Sequence, residues 1–95
     1  MDWYLYLIRC HDGSLYTGIT TDVTHRFVEH QTNSGARAKY LRGRGPLVLV
    51  FQKKLGSRSL ALSVESKVKK LSKAGKEELI RNREHVEEII KQVAV

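Results

Sequence analysis

The sequence has little of several features that mark particular classes of protein. It contains one cysteine, Cys10, in 95 residues, so neither an internal disulfide nor a cysteine-based zinc site can form within the chain. No apolar run approaches the roughly 18 residues that a membrane span needs. The N-terminal segment has neither the basic start nor the small-residue cleavage site of a signal peptide. We therefore expect a cytoplasmic protein with no membrane partner.

Acidic residues are also scarce relative to basic ones. The chain has 17 Lys and Arg against 10 Asp and Glu, a formal net charge of +7, and its isoelectric point is about 9.8. This balance is typical of domains that bind nucleic acid phosphates, although a basic solvated surface gives the same numbers. We expect DNA or another nucleic acid as partner. Whether a protein partner or an oligomer is involved stays open.

The pattern of apolar and turn residues predicts an α+β domain, and the length fits a single domain over 1–95. Segments 3–10 and 14–19 are rich in aromatic and β-compatible residues and flank a turn, which predicts a β-hairpin. A helix is expected near 22–31, with Thr21 or Asp22 as its N-cap, and the run 47–51 is typical of a third strand. The remaining elements are a helix from Ser57 or Ser59 to about Ser72, a break at Gly75, and one or two final helices.

The length of the hairpin loop decides whether Tyr6 and Tyr16 lie together. Side chains alternate between the two faces of a strand, so the pairing register sets which residues share a face. A two-residue turn at 12–13 places the two tyrosines on opposite faces. A three-residue loop at 11–13, with its glycine in the left-handed conformation, pairs Tyr6 with Gly18. Both phenols then share one face, about 7 to 8 Å apart at Cα, with space beside Gly18.

Three polar residues on the predicted helices extend this candidate site. Arg26 and His30 are four residues apart and project from the same side of their helix, so they can face a common ligand. Glu65 is the only acidic residue in 30–76. An isolated carboxylate in a basic segment is a candidate ligand for a hard cation such as Mg²⁺ or Mn²⁺. Glu65 is equally placed for a surface ion pair with Lys69, four residues further along.

The segment 32–45 has three glycines and little periodicity, which predicts a long connecting loop of the kind that often carries function. Its four basic residues are candidates for binding substrate phosphates, contacts that position a backbone without reading bases. A solvated loop is the alternative interpretation. The four residues are Arg37, Lys39, Arg42 and Arg44.

The order of these residues resembles the GIY-YIG nuclease family. Tyr4-Leu5-Tyr6 is followed by Tyr16-Thr17-Gly18 with its tyrosine ten residues later, and Arg26, His30 and a helical Glu65 come next in that order. The resemblance covers about residues 3–73 and leaves 74–95 as a C-terminal helical extension. The Gly-Arg-Gly-Pro stretch at 43–46 is similar to the branch that contains structure-specific repair nucleases and small bacterial single-domain members.

The resemblance implies an αβα sandwich around a three-stranded antiparallel sheet, one divalent metal ion, Mg²⁺ or Mn²⁺, and hydrolysis of DNA phosphodiester bonds. It also implies selectivity for structure rather than sequence, and a place in DNA repair or processing. By position, Tyr6 is the base or water-positioning group, Tyr16 and His30 contact phosphate or water, Arg26 stabilises charge, Glu65 holds the metal, and Gly18 belongs with the substrate-binding positions.

Three positions depart from the family pattern, and two other functions stay open. Tyr4 replaces the first glycine of the family tripeptide, Thr17 replaces the usual isoleucine, and Ile19 stands where some members have a lysine. Without that lysine the site has one phosphate-binding group fewer, so a nucleic-acid-binding module with weak or no catalysis is one alternative. The other is an interaction protein that uses the apolar edge of the last helix, formed by Val86, Ile89, Ile90 and Val93.

Overall fold

The computed structural model describes residues 1–32, 41 and 43–94. Seven elements follow one another in this part of the chain: β1 (Trp3–Arg9), β2 (Leu15–Thr20), α1 (Val23–Gln31), β3 (Val48–Gly56), α2 (Arg58–Lys69), α3 (Lys73–Arg81) and α4 (Glu84–Val93). The strands form one antiparallel sheet in the order β2-β1-β3, which confirms the expected α+β class. None of the helices in these ranges is long and apolar enough to cross a membrane.

The hairpin that joins β1 and β2 has the three-residue loop. The backbone N–H of Cys10 donates to the carbonyl of Ser14 at 2.9 Å, and the N–H of Gly13 donates to the carbonyl of Cys10 at 2.9 Å. Gly13 has φ +85°, in the left-handed region that glycine adopts without a steric penalty. The register therefore pairs Tyr6 with Gly18 and Ile8 with Tyr16. Because Ile8 lies two residues after Tyr6, the two tyrosines are on the same face of the sheet.

Helices cover both faces of the sheet, which confirms the αβα arrangement. The buried residues of the first face come from the sheet and from α2, α3 and α4: Leu5, Leu7, Phe51, Val64, Val68, Leu79 and Val86. Those of the second face come from the sheet, from α1 and from the segment before β3: Tyr6, Ile8, Cys10, Val23, Leu41 and Leu47. The even-numbered residues of β1 thus face α1, and this second face carries the tyrosines.

Two predicted boundaries differ from the structure. The third strand does not end at 51 but continues to Gly56, because its pairing with β1 continues as far as Trp3, which lies opposite Gly56. The break expected at Gly75 is wrong, since Gly75 lies in the first turn of α3 and donates its N–H to the hydroxyl of Ser72 at 3.1 Å. The Ser72 hydroxyl caps the start of α3 by accepting the Gly75 N–H, so Gly75 lies within the helix and does not interrupt it.

The apolar edge of α4 packs within the chain. Val86 is fully buried in the core of the first face, and the other three residues of this edge pack against that core. An edge that is used in this way offers little apolar surface to a partner. The interaction-protein alternative therefore loses the feature on which it depended.

Candidate active site

Two phenols and an imidazole meet on the second face of the sheet. The hydroxyl oxygen of Tyr6 lies 2.9 Å from Nε2 of His30. The ring centroids of Tyr6 and Tyr16 are 6.3 Å apart, and that of His30 lies 6.0 Å from Tyr6 and 5.5 Å from Tyr16. We call these three residues the aromatic cluster. The hairpin register and α1 together bring into contact side chains that are far apart in sequence.

Gly18 makes room for the Tyr6 side chain. A Cβ placed at Gly18 would lie 2.5 Å from Cζ of Tyr6, closer than real Cβ contacts come. Tyr6 is only 2 % exposed, so its ring cannot swing aside without disturbing the core around it. The absence of a side chain at Gly18 is therefore what lets the phenol lie against β2 and reach His30. The Tyr6 ring itself fills the space that Gly18 leaves, and both a two-phenol pocket and a direct contact of Gly18 with substrate stay predictions.

Helix α1 supplies the polar partners of Tyr6. It begins after Asp22, whose carboxylate accepts the N–H of His25 at 3.0 Å and caps the helix. Arg26 and His30, one turn apart, both interact with the Tyr6 phenol. Arg26 is also 3.4 Å from the carboxylate of Glu29. Arg26 and His30 thus both face Tyr6, while the expectation that they face a common ligand stays a prediction.

Burial makes the Tyr6 phenol a weaker acid than a tyrosine in water. Loss of solvent raises the pKa of Tyr6 well above its usual value, the nearby Tyr16 raises it further, and a hydrogen bond from Arg26 opposes the rise. At neutral pH Tyr6 is therefore a neutral phenol and not a standing phenolate. A role in proton transfer then requires a neighbour that accepts its proton, and Nε2 of His30 is at hydrogen-bond distance.

Glu65 lies on α2, the helix that packs on the first face of the sheet and also contacts β2, the strand of Tyr16. Its side chain is 17 % exposed and lies 3.5 Å from the ammonium of Lys69, so the ion pair that the spacing allows does form. No group of three or more His, Cys, Asp or Glu side chains suitable for a metal occurs among the residues described. A single carboxylate fits a Mg²⁺ or Mn²⁺ ion that keeps its waters and binds substrate phosphate.

Of the four basic residues in the loop before β3, Arg37, Lys39 and Arg42 lie outside the described residues. Arg44 lies at the tip of the hairpin. Its guanidinium is 2.6 Å from the carboxylate of Asp12 and 3.2 Å from the hydroxyl of Ser14, while its carbonyl accepts the N–H of His11 at 2.8 Å. The sequence offered Asp12 only as a turn residue, and its part in anchoring Arg44 could not be predicted because the two are 32 residues apart.

Thr17, one of the departures from the family pattern, is buried on the face opposite Tyr16. Its side chain is 3 % exposed, and its hydroxyl has no hydrogen-bond partner within the described part of the chain. A buried hydroxyl without a partner costs free energy that the isoleucine of the family pattern would not. The substitution thus affects packing, as expected, and it leaves the aromatic cluster on the other face intact.

The fold is an α+β domain with two strand tyrosines, an arginine and a histidine from the next helix, and a later helical glutamate. A family model described as the GIY-YIG catalytic domain matches residues 2–78, a range that contains every one of these residues. The chain belongs to the GIY-YIG family.

Individual relatives cover nearly all of the chain. It is 53 % identical to the UPF0213 protein YhbQ of Salmonella typhimurium over 88 residues, 93 % of this chain and 86 % of that protein. A UPF0213 protein of Cronobacter sakazakii is 57 % identical over 79 residues, 83 % of this chain and 81 % of the relative.

Two solution NMR structures have a similar fold. The UPF0213 protein BH0048 from Bacillus halodurans is 46 % identical with a TM-score of 0.55, and the protein EF2693 from E. faecalis is 34 % identical with a TM-score of 0.61. Each comparison covers 85 % of this chain and 84 % of the solved one.

Proposed function

We propose that this chain is an endonuclease that hydrolyses DNA phosphodiester bonds with the help of Mg²⁺ or Mn²⁺. The observation that carries the proposal is the buried hydrogen bond of 2.9 Å between Tyr6 and His30, beside Tyr16 and Arg26. Burying a polar network of this kind is costly, and apolar side chains would pack the same space at less cost. Its chemistry therefore points to a reaction that moves a proton next to a bound phosphate.

Proton transfer in this site runs through Tyr6 to His30. As water attacks the phosphorus, it gives a proton to the phenol oxygen, while the phenol gives its own proton to Nε2 of His30. This relay never forms a free phenolate, which the raised pKa of Tyr6 disfavours. It requires the neutral His30 tautomer that carries its proton on Nδ1, so that Nε2 accepts.

The neighbours of this pair hold the phosphate. Arg26, which already contacts the phenol, places a permanent positive charge where the phosphate gains negative charge in the transition state. Tyr16 is less buried than Tyr6 and contacts a phosphate oxygen or the attacking water. Glu65 would hold the divalent ion, which when bound offsets negative charge on the leaving oxygen.

Substrate selection follows from basic contacts that do not read bases. The net charge of +7 favours phosphate contacts, with Arg44 at the hairpin tip as one of them, and such contacts give affinity without sequence preference. We therefore propose selectivity for DNA structure, as in repair or processing of nicked, flapped or branched DNA in the cytoplasm. Arg37, Lys39 and Arg42 are proposed to add contacts of the same kind.

The test is cleavage of nicked, flapped and branched DNA with Mg²⁺, with Mn²⁺ and with chelator. We expect cutting that requires the metal and is abolished in Glu65→Ala. Lys69→Ala is the matched control, because it breaks the same ion pair but keeps the carboxylate, and it should cut like the wild type. If wild-type protein binds these substrates but cuts none of them, the nuclease proposal is wrong and the chain is a binding module.

A further inference from the structure

Basic charge is concentrated in part of the sequence. Residues 1–76 hold 14 of the 17 Lys and Arg but only 5 of the 10 Asp and Glu, and 66–76 contain five lysines and no acidic residue. Like charges at such spacing repel one another and destabilise the folded state. A polyanion that binds across them removes this repulsion.

Two of these lysines share a shallow cavity with the hairpin. Lys73 and Lys76, in the first turns of α3, line a space of about 160 Å³ with Ser14 and Leu15. The ammonium of Lys73 lies over the tip of the hairpin, 3.5 Å from where a Cβ of Gly13 would be. The two lysine side chains therefore lie beside the hairpin loop, at one end of the sheet.

Neither lysine has a carboxylate within ion-pair distance in the described ranges. Glu77, the acidic residue next in sequence, binds Arg9 through both of its oxygens, at 2.6 and 2.7 Å. That two-pronged contact holds the carboxylate toward β1. The charge of Glu77 also acts on Lys73, but the contact with Arg9 keeps the carboxylate out of ion-pair distance, so both ammonium groups can bind a ligand.

The hairpin tip joins this cavity to the face that carries the aromatic cluster. Arg44 contacts the tip through Asp12 and Ser14, and its segment packs on the second face through Leu41 and Leu47. Helix α3 packs on the first face. Basic groups from both faces therefore meet at one end of the sheet, with the loop between them.

We propose that Lys73 and Lys76 form a second phosphate-binding surface, which holds the nucleic acid beyond the hairpin tip from the aromatic cluster. The inference rests on the proposed function, because it concerns how the same substrate is held. Gly13 precedes Tyr16 by three residues, so their Cα atoms are at most about 11 Å apart, which sets the scale of the distance that the substrate backbone spans between this surface and the aromatic cluster. That distance is about three base pairs along a duplex, and the backbone on one side of the cut must therefore be continuous that far.

The test compares binding of a nicked duplex by wild-type protein, by Lys73→Ala/Lys76→Ala, and by a control of equal charge change, Lys53→Ala/Lys91→Ala. Both control lysines neighbour Glu87 on the α4 side of the molecule. We expect the slope of log affinity against log salt to shrink by about 2 in the α3 variant, about 1 for each phosphate that is no longer bound, and to stay near wild type in the control. Thermal unfolding of each protein confirms that the variants fold.

A duplex shortened on one side of the nick adds a second readout. Wild-type protein should bind more weakly when one particular side is cut back to fewer than about three base pairs, and the α3 variant should show no further weakening on that side. Equal salt slopes in the two double variants, or equal sensitivity to shortening, would overturn the inference while leaving the nuclease proposal intact. Failure of the wild-type protein to bind DNA would overturn both.

Discussion

The hydroxyl of Tyr6 and Nε2 of His30 are joined by a hydrogen bond of 2.9 Å in a part of the core where Tyr6 is 2 % exposed and His30 is 0 % exposed. Each group would be costly to bury without the other. The same bond therefore satisfies two polar groups of the core and aligns a proton donor with an acceptor. Both the stability of the fold and the proposed proton transfer depend on this hydrogen bond. It can therefore be tested by unfolding experiments and by rates of cleavage.

Replacing Tyr6 by Phe should reduce the loss of stability at alkaline pH. Burial raises the pKa of Tyr6 above its usual value of 10.0, so the folded state holds this proton more tightly than the unfolded state. The resulting stability is complete below pH 10 and is lost as the pH rises toward the folded-state pKa, by at most about 1.4 kcal/mol per pH unit. Denaturant unfolding at neutral and alkaline pH measures the difference, with Tyr4→Phe as control. Parallel pH profiles for wild type and Tyr6→Phe would contradict this.

Gly18→Ala should destabilise the fold and displace the Tyr6 phenol. The added Cβ would come within 2.5 Å of Cζ, and overpacking of this kind typically costs about 1 to 3 kcal/mol. Gly75→Ala is the control, because the nearest atom to its Cβ would be Cβ of Leu71 at 3.3 Å, a far smaller conflict, and because Ala is favoured over Gly in a helix by up to about 1 kcal/mol. Thermal unfolding compares the two. A Gly18→Ala protein as stable as wild type would show that the phenol has room to move.

Thr17→Val should stabilise the protein by about 1 kcal/mol, because it replaces a buried hydroxyl that lacks a partner by a methyl group of similar size. Cleavage should not change, since Thr17 lies on the face opposite the aromatic cluster. Thr20→Val is the control: the Thr20 hydroxyl accepts the N–H of Asp22 at 3.2 Å, so its removal should destabilise. Chemical denaturation measures both, and a destabilised Thr17→Val would mean that the hydroxyl is satisfied in solution.

Glu77→Gln should make the protein less sensitive to acid. The bonds from Arg9 hold the pKa of Glu77 below its usual value of 4.5, so the pair stabilises the fold above that pH and the contribution is lost as the pH falls through the folded-state pKa. Both side chains are partly exposed, which limits the effect to about 1 kcal/mol. Melting curves at neutral and acid pH detect it. The control is Glu78→Gln, which removes ion pairs at the longer distances of 3.7 and 3.5 Å, and equal acid dependence in the two variants would contradict the prediction.

The sequence predicted the elements of the fold better than their ends. Apolar periodicity located three strands and the helices, but residues 52–54 are polar, and only pairing with β1 makes them part of β3. Gly75 suggested a break because glycine is a poor helix former, whereas the cap at Ser72 decides where α3 begins. Composition alone does not show which backbone N–H groups will donate hydrogen bonds to a given side chain.

Sequence spacing alone predicted which side chains of α1 lie together in the site, but it did not predict this for the hairpin. Arg26 and His30 share a side of any helix, so their convergence was predictable. The side shared by Tyr6 and Tyr16 depended on the conformation of Gly13, which the sequence allowed but did not determine. The ion pair of Asp12 with Arg44 and the fork of Arg9 with Glu77 join residues distant in sequence, and no local pattern predicts them.

Proton transfer through Tyr6 is measured by the single-turnover rates at which wild-type protein and Tyr6→Phe cleave a nicked duplex in Mg²⁺ or Mn²⁺. The substitution removes one oxygen and keeps the ring in place beside Gly18. If Tyr6 passes a proton to His30 during hydrolysis, the rate should fall at least about 100-fold, while affinity for the duplex stays the same. A Tyr6→Phe protein that cleaves at the wild-type rate would show that the Tyr6 hydroxyl passes no proton during hydrolysis.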